Sequence, residues 1–425
     1  MSIRHYDWSA GPDVIQQHSI AKHRILQSYL AAYFQTLVSS PNQDVLRLTL
    51  VDGFAGGGLY YHSDTQELVK GSPFIFLEAT KEAEYLINKD RRKPVQLDVS
   101  YFFVEADRNA HLHLDKVLRE DGYAAALGNT IQLKHAKFQD EADKIIDFIK
   151  HKSPRNGRSI FVLDQYGYKD VPTPIIQKIF SNLPSAEVIL TFGVDSLLNF
   201  ANDKKITNDL LVEIGIPQPW QGKSLEEIKN SDRDWRYFIQ SALYKELVSR
   251  CGAEYFTPFF IRNKKGHGDY WLIHMSQHHR ARDVMTEVHW SNHNYFIHYG
   301  GAGLNMFQMV GYDPDHDSDF KRQSGLGFEF DNVAKEASIS ALMRQLPRLI
   351  YSHDDGVSFG ELFAKTCNTS PASATIYREA IEKLIDEKII EVIGDDGAHR
   401  RSGLQVKAKD QILPPRQRGI FFFED

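Results

Sequence analysis

Short apolar runs alternate with amphipathic stretches along the first half of the chain. The runs are rich in Val, Ile, Leu and aromatic residues and predict five strands, at 46–52, 98–105, 128–135, 158–164 and 187–193. Segments of helical spacing separate these runs, as they do in βαβ units. The pattern therefore predicts a doubly wound α/β fold built on a parallel sheet.

Helices are predicted from periodicity and from capping residues. Residues 19–38 repeat apolar positions at helical spacing, and Lys22, His23 and Arg24 fall on the other face. Ser72–Pro73 is typical of an N-cap followed by proline at the first helical position, and Thr173–Pro174 repeats this signal. One helix is thus expected before the first strand, and others are expected between the strands.

The alternation changes after the fifth strand. Residues 196–254 predict a mostly helical insert, and 255–263 and 269–276 predict a hairpin. Five parallel strands closed by a hairpin is the strand count of the class I methyltransferase variant of the Rossmann-like sheet. We therefore expect this architecture over residues 1–330.

The last part of the chain, residues 336–425, has a separate pattern. Its predicted helices lie at about 336–352, 358–366 and 371–388. Two strands around an Asp395–Gly397 turn are expected to follow, and three helices with a β-wing are typical of a winged-helix domain. We therefore expect a second domain with this fold.

Charge in the winged-helix segment does not favour a basic DNA reader, because acidic residues outnumber basic ones after residue 354. Arg400 and Arg401 in the wing, with Arg416 and Arg418 beyond it, could still form a local contact strip for nucleic acid. Docking of a partner protein is an equal alternative.

Overall composition limits the function classes. The 425 residues carry a net charge of −6, so any surface for nucleic acid must be a local patch. The two cysteines, Cys251 and Cys367, match no metal-ligand or disulfide pattern. No apolar run is long enough to span a membrane and no signal sequence is recognisable, so we expect a cytoplasmic protein.

Histidine and arginine are dense between residues 274 and 294. No metal-binding spacing occurs there and carboxylates are interleaved, so no metal site is expected. A helix face without a ligand and a phosphate-contacting patch that includes Arg280 and Arg282 are both open.

Candidate chemistry begins where the first strand ends. Asp52 is followed by Gly53, Phe54, Ala55 and Gly56 in the stretch LRLTLVDGFAGGG. Small residues allow close backbone approach, and exposed N–H groups can hold a carboxylate or a phosphate. The spacing matches neither a dinucleotide fingerprint nor a P-loop, and a tight turn without a ligand is the alternative.

Acids also end the second and fourth strands. Glu105, in YFFVEAD, can accept both hydroxyls of a ribose, and Asp107 is a weaker candidate for this role. Asp164 is followed by Gln165 and Tyr166, and a carboxylate beside an aromatic ring can bind an amino group while the ring stacks on a flat base. Ordinary strand-end acids are the alternative in both places.

These motifs resemble the three-Cys-motif partner protein (TcmP) family, a bacterial group related to class I S-adenosylmethionine-dependent methyltransferases. The similarity follows AKHRILQSYL, LTLVDGFAGGG, the loop ending in GSP, FFVEAD, VLDQYG and YWLIHMSQHHRARDVM in that order, over roughly residues 18–300. The first helix and the VDGFAG…GSP loop are the most specific elements. The resemblance implies a separately encoded partner with a three-cysteine motif.

The resemblance also implies roles by position. Asp52, Gly53, Phe54, Ala55 and Gly56 would line a pocket for S-adenosyl-L-methionine, Glu105 would bind its ribose, and Asp164–Gly167 would hold the methyl acceptor. Adenine-N6 methyltransferases carry Asp-Pro-Pro-Tyr at the acceptor position, where this chain has Asp-Gln-Tyr-Gly. Loss of catalysis is therefore an alternative.

The leading hypothesis is a methyltransferase-like protein that uses S-adenosyl-L-methionine and acts on nucleic acid, DNA or RNA, in a bacterial modification or defence system. Asp164, Gln165 and Tyr166 are the predicted catalytic residues. One alternative is a non-catalytic adaptor of the same fold that docks a partner protein or nucleic acid. A nucleotide-binding oxidoreductase is a third possibility, which the glycine spacing disfavours.

Overall fold

The computed structural model describes most of the chain. The described residues are 7–8, 11–38, 43–165, 168–193, 205–217, 219, 222, 224, 226–227, 235–261, 270–292, 296–298, 302–304, 328–353 and 355–415. Contacts between Cα atoms divide the chain into two compact units, Met1–Phe296 and Ile297–Asp425. The sequence placed the boundary near residue 330, and the domain limits inferred there stay a prediction.

The elements are numbered here in chain order. The strands are β1 (Val14–Ile15), β2 (Val45–Asp52), β3 (Leu59–His62), β4 (Leu68–Lys70), β5 (Gln96–Glu105), β6 (Ile131–His135), β7 (Ser159–Asp164), β8 (Ala186–Phe192), β9 (Tyr255–Ile261), β10 (Tyr270–Ser276), β11 (Phe296–His298), β12 (Phe328–Glu329), β13 (Val357–Ser358), β14 (Glu391–Ile393) and β15 (Gln411–Leu413). The α-helices are α1 (Gln17–Leu37), α2 (Ser72–Asn88), α3 (Arg108–Leu118), α4 (Phe138–Lys152), α5 (Thr173–Asn182), α6 (Lys205–Glu213), α7 (Trp235–Cys251), α8 (His279–Asn292), α9 (Asn332–Tyr351), α10 (Phe359–Thr366) and α11 (Ala374–Asp386).

Seven strands of the first unit form one sheet, in the order β6-β5-β2-β7-β8-β10-β9. β2, β5, β6, β7 and β8 are parallel, whereas β10 is antiparallel to both β8 and β9. The five predicted parallel strands and the antiparallel pair after them are therefore confirmed. The turn predicted at 264–266 lies outside the described residues. Strand order reverses at β2, the first strand of this sheet in the chain.

Neighbouring aromatic residues of β5 show that helices cover both faces of the sheet. Phe103 packs against Phe76 of α2, and Phe102 packs against Phe148 of α4. Successive side chains of a strand point to opposite faces, so α2 and α4 lie on opposite sides. α1 packs on α2 and α8, while α5 packs on α4 and α7. Both faces of the sheet are buried, which explains why its strands are continuous apolar runs.

The connection from β2 to α2 carries a small sheet of its own. β3 and β4 pair antiparallel, and β1 pairs with β3 in parallel. Trp8, which precedes β1, is buried against Tyr60 of β3. The N-terminal segment is thereby held beside the glycine-rich loop.

Two helix starts differ from the prediction by one residue. Gly71 and Pro172 are the N-cap positions, and Ser72 and Thr173 are already the first helical residues. Neither hydroxyl is used as an N-cap: Ser72 acts on the Asp52 carboxyl group, and Thr173 donates to the carbonyl of Gly215.

The second unit combines three capped helices with a small sheet. The side chains of Asp331, Ser358 and Ser373 accept N–H groups of the first turns of α9, α10 and α11. β13, β15 and β14 form an antiparallel sheet. This arrangement agrees with the predicted three helices and wing.

One wing strand differs from the prediction. After the turn at 395–397, pairing with β14 is reduced to a bridge between Ile393 and His399. The chain then forms a short 3-10 helix at Gly403–Gln405 that packs on α11, and only β15 returns to the sheet. Ser402 and the Leu404 N–H donate hydrogen bonds to Glu382 of α11, which explains this detour.

Candidate functional site at the carboxyl edge of the sheet

The glycine-rich loop starts at the point where the strand order reverses. The N–H of Gly53 donates to the carbonyl of Val162 in β7, and the N–H of Ala55 donates to the carbonyl of Val104 in β5. The loop therefore crosses the carboxyl ends of both strands that flank β2. In open α/β sheets this crevice is where ligands bind.

Bulky neighbours explain why the loop needs small residues. A Cβ atom on Gly57 would lie 2.3 Å from the ring of Trp8, and one on Gly56 would lie 2.2 Å from the Tyr60 hydroxyl. Gly56 also has a φ of 61°, a left-handed conformation that favours glycine. The carbonyl of Gly57 is within 2.6 Å of His113 Nδ1. The glycines are thus needed for close packing whether or not a ligand binds. Both interpretations of the sequence, a tight turn and a ligand-binding loop, therefore stay open.

Glu105 reaches back to this loop from the end of β5. Its carboxylate accepts the N–H of Gly56 at 2.8 Å and the N–H of Asp107 at 2.7 Å. Burial raises the pKa of Glu105, and these backbone donors oppose the rise. Asp107 instead caps α3, since it accepts the N–H of Ala110 at 2.8 Å. The geometry therefore favours Glu105 over Asp107 as the ligand-binding acid.

Asp52 is the most deeply buried acid of the site. Its side chain is 0% exposed, and Oδ1 accepts the N–H of Phe54 at 3.1 Å. Oδ2 is buried and has no hydrogen-bond partner among the described residues. Burial raises the pKa of Asp52 to about 7, although Ser72 and the Phe54 amide oppose the rise. Asp164 and Glu105 contribute to this rise, so both lie close enough to act on Asp52.

Asp164, at the end of β7, is paired with Lys22 of α1. The lysine Nζ lies 2.5 Å from both carboxylate oxygens, and the side chains are only 13% and 33% exposed. Burial alone would raise the pKa of Asp164, but the Lys22 ammonium and the Thr191 hydroxyl outweigh it and lower the pKa. Asp164 is thus held in its charged form.

Lys22 and His23 were predicted on a polar helix face, and the structure corrects this. Both line a cavity of about 30 Å³ at the carboxyl edge of the sheet. Burial and the neighbouring Lys22 lower the pKa of His23 to about 4, so its ring is neutral near pH 7. Periodicity marks these positions as polar, but it does not distinguish solvent from a site.

The three predicted catalytic residues have different surroundings. Gln165 is buried, and its side-chain oxygen accepts the N–H groups of Asp170 and Val171 at 2.9 and 3.1 Å. These hydrogen bonds occupy the side-chain oxygen of Gln165, so it is not free to bind a methyl acceptor. Tyr166 and Gly167 lie outside the described residues. Asp164 is therefore the described residue on which an acceptor interpretation depends.

The remaining loop residues of the predicted cofactor pocket lie next to these acids. Within the loop, Ala55 is buried and Phe54 is half-buried. The N–H of Phe54 donates to Asp52, and the N–H of Gly56 donates to Glu105. The charge of Glu105 also raises the pKa of Asp52. The structure thus brings the predicted cofactor residues together at one edge.

Other charged candidates are engaged elsewhere. His274, Arg282 and His289 are buried, so they are not part of a surface patch for phosphates. Arg400 binds Asp410 and Asp396 within its own unit. Arg416 and Arg418 lie outside the described residues. Across the part of the chain that the structure describes, no group of three His, Cys, Asp or Glu side chains could hold a metal ion.

Comparison with known proteins supports the winged-helix prediction. Residues 311–397 match the family model of the GMT-like wHTH domain. A comparison with curated proteins gives no match. Among the helices that the structure describes, none is long and apolar enough to span a membrane.

Three solved structures resemble the chain at low identity. A Legionella pneumophila protein of family model DUF519 has 8% identity and a TM-score of 0.33, with 59% of this chain and 84% of that chain covered. A candidate O-methyltransferase from Klebsiella pneumoniae has 11% identity and a TM-score of 0.28, with 60% and 88% covered. A candidate S-adenosyl-L-methionine-dependent methyltransferase from Methanococcus maripaludis has 13% and 0.24, with 61% and 90% covered.

Proposed function

We propose that the protein is an S-adenosyl-L-methionine-dependent methyltransferase that acts on nucleic acid. The observation that carries this proposal is the meeting of Asp52, Glu105 and Asp164 beside a glycine-rich loop, where the strand order reverses. The sheet, with its parallel strands followed by the antiparallel strand β10, also supports the class I methyltransferase architecture that the strand count predicts.

The acids of the first two strands fit a donor that carries an amino group and a ribose. The Oδ2 atom of Asp52 is a buried acceptor without a described partner, which suits an ammonium group. Glu105 stands at the strand end where a carboxylate can accept ribose hydroxyls. S-adenosyl-L-methionine supplies an electrophilic methyl group when bound. The protein's contribution would be to hold and orient the donor against the acceptor.

Asp164 would bind the acceptor. Because Lys22 keeps it ionised, its carboxylate can accept an N–H of a base amino group and so orient the nitrogen. The winged-helix unit would supply contact with DNA or RNA. A bacterial modification or defence system with a separately encoded three-Cys-motif partner is the setting that the family resemblance favours.

Calorimetric titration with S-adenosyl-L-methionine tests the donor site. We expect binding by the full chain and a loss of at least about tenfold in affinity for Glu105→Ala, because a charged hydrogen-bond acceptor is removed. Asp90→Ala, an exposed acid of the same unit, is the matched control and should bind as the unmodified protein does. Absence of binding by a folded, unmodified protein would overturn the proposal.

A non-catalytic adaptor is the second candidate, and the buried Gln165 favours it. Where adenine-N6 methyltransferases have a proline after the acid, this chain has a glutamine whose side-chain oxygen accepts two backbone N–H groups. Mass spectrometry of methylated nucleosides from cells distinguishes the two. Methylation that disappears with Asp164→Ala supports the enzyme, whereas donor binding with no such methylation supports the adaptor.

A further inference from the structure

Helix α1 lies along one face of β8. Successive residues on one side of the helix lie opposite successive residues on that face of the strand. Lys22 and Leu26 line the same cavity as Thr191 and Ile189. One turn farther on, Tyr29 donates a hydrogen bond to Glu187. Residues 187, 189 and 191 share a face of β8, and residues 22, 26 and 29 share a face of α1. The helix therefore runs from the carboxyl edge to the amino edge of the sheet.

The far end of this contact is a buried polar network. The hydroxyl of Tyr29 lies 3.1 Å from His274 Nε2, and that nitrogen lies 2.8 Å from the Glu187 carboxylate. Tyr29, Glu187 and His274 are 0%, 6% and 1% exposed. The hydrogen bonds between these buried groups require a defined geometry, so they favour one position of the helix.

Between the two ends the contact is apolar. Leu26 and Ile25 of α1 face Ile189 and Leu272 around the small cavity. Apolar burial is non-directional and does not fix the position of a helix along its axis. Lys22 and Tyr29 are about 10 Å apart along this axis, so a hydrogen bond at one end constrains the other.

We propose that Tyr29, Glu187 and His274 are positioning residues that hold α1 so that the Lys22 ammonium meets both oxygens of Asp164. The consequence for catalysis rests on the proposed function, but the positioning itself does not. Loss of the Tyr29 hydroxyl lets α1 shift, and the Lys22–Asp164 contact lengthens.

Several charged and titratable groups surround the two ends of the contact between α1 and β8. Asp164 is faced by Lys22 and His23 of α1 and by Asp52 of β2, with the Thr191 hydroxyl beside it. Glu187 is faced by Tyr29 and Tyr33 of α1 and by His274 of β10. Arg158 lies near Tyr33, and His289 lies near His274.

Titration of Asp164 by carbon-13 NMR tests the proposal without any ligand or activity. The full chain is labelled at its aspartate carboxyl carbons, and Asp164→Asn assigns the signal. Tyr29→Phe should raise the pKa of Asp164 by about half a unit or more, because the ammonium moves away. Lys22→Met should raise it too, and adding Tyr29→Phe to Lys22→Met should have no further effect.

Two controls keep the test decisive. Tyr33→Phe removes a hydroxyl from the same helix that makes no hydrogen bond among the described residues, and it should leave the pKa of Asp164 unchanged. If Tyr29→Phe does not fold, Glu187→Gln keeps the shape and provides the same measurement. A lowered melting temperature with an unchanged pKa of Asp164 would overturn the proposal. Failure of donor binding in calorimetry would leave it intact.

Discussion

At the residue scale, the charge of Asp52 is costly to the fold. This residue is fully buried, and its pKa is raised to about 7 chiefly by the loss of solvation. A strand-end acid of this kind could be predicted from the run LTLVD, but its burial could not. The loop, Ser72 and the neighbouring acids that enclose it come from four different parts of the chain.

Asp52→Asn should make the protein more stable above neutral pH. Between about pH 4 and about pH 7 the folded chain holds a proton on Asp52 that the unfolded chain releases, so the free energy of unfolding falls as the pH rises. The full penalty is of the order of 4 kcal/mol. Urea unfolding at about pH 5 and about pH 8 measures it, with the exposed Asp90→Asn as control. An equal effect of Asp52→Asn at both pH values would contradict the assignment.

Gly57 should be intolerant of a side chain because of Trp8. Gly57→Ala places a Cβ atom 2.3 Å from the Trp8 ring, and we expect a loss of about 1–3 kcal/mol in the free energy of unfolding. In a Trp8→Ala background the same change should cost much less, since the clash is removed. Urea unfolding of the two single variants and the double variant checks this, and an additive result would exclude the contact as the cause.

At the element scale, strands were easier to predict than the polar contacts between elements. The five parallel strands were found within a few residues because buried strands are continuous apolar runs. The side chains that join α1 to the sheet were missed. Glu187 and His274 sit inside apolar strands, and their partner Tyr29 is far away in the sequence, so no local pattern links them.

The wing was predicted less well, because its returning segment contacts α11 rather than a strand. Ser402 and Leu404 bind Glu382, and Arg378 donates to the carbonyl of Val406 at 3.0 Å. These contacts cover an outward face of the helix that would enter a DNA groove in a helix-turn-helix protein. Nucleic acid would therefore have to meet another surface of this unit, or displace the segment.

Glu382→Ala should release this segment. We expect hydrogen exchange of the Leu404 amide to become at least about tenfold faster, because its charged acceptor is lost. Asp386→Ala, an exposed acid of the same helix, should leave the exchange unchanged. Mass spectrometry of peptides from the wing gives the measurement, and equal protection in both variants would show that other contacts hold the segment.

At the scale of the whole molecule, the chain consists of two compact units with separate tasks in the proposed function. The overall architecture could be predicted from element order, strand count and hairpin. The organisation of the site depended on the sheet, since parallel strands bring Asp52, Glu105 and Asp164 to one edge from positions far apart. The part of the site that would bind the methyl acceptor could not be predicted as fully from the sequence.

Calorimetric unfolding should separate the two units. A ligand that binds only the native first unit raises the unfolding temperature of that unit and leaves the unfolding temperature of the other unit unchanged. We expect S-adenosyl-L-methionine to raise one transition and Glu105→Ala to abolish this rise, with Asp90→Ala as the unaffected control. A ligand that raised both transitions equally would show that the units unfold together.

The strand order has a practical consequence for building a sensor. The turn at 154–156 is exposed, and it separates a half that contains β2, β5 and β6 from a half that contains β7, β8, β10 and β9. Each half-sheet is contiguous both in sequence and in space, and the seam between them is the β2–β7 pair. Asp52 and Glu105 stand on one side of this seam and Asp164 on the other. A chain cut at this turn would therefore yield two complementing fragments, whose reassembly could report the presence of whatever molecule bridges the seam.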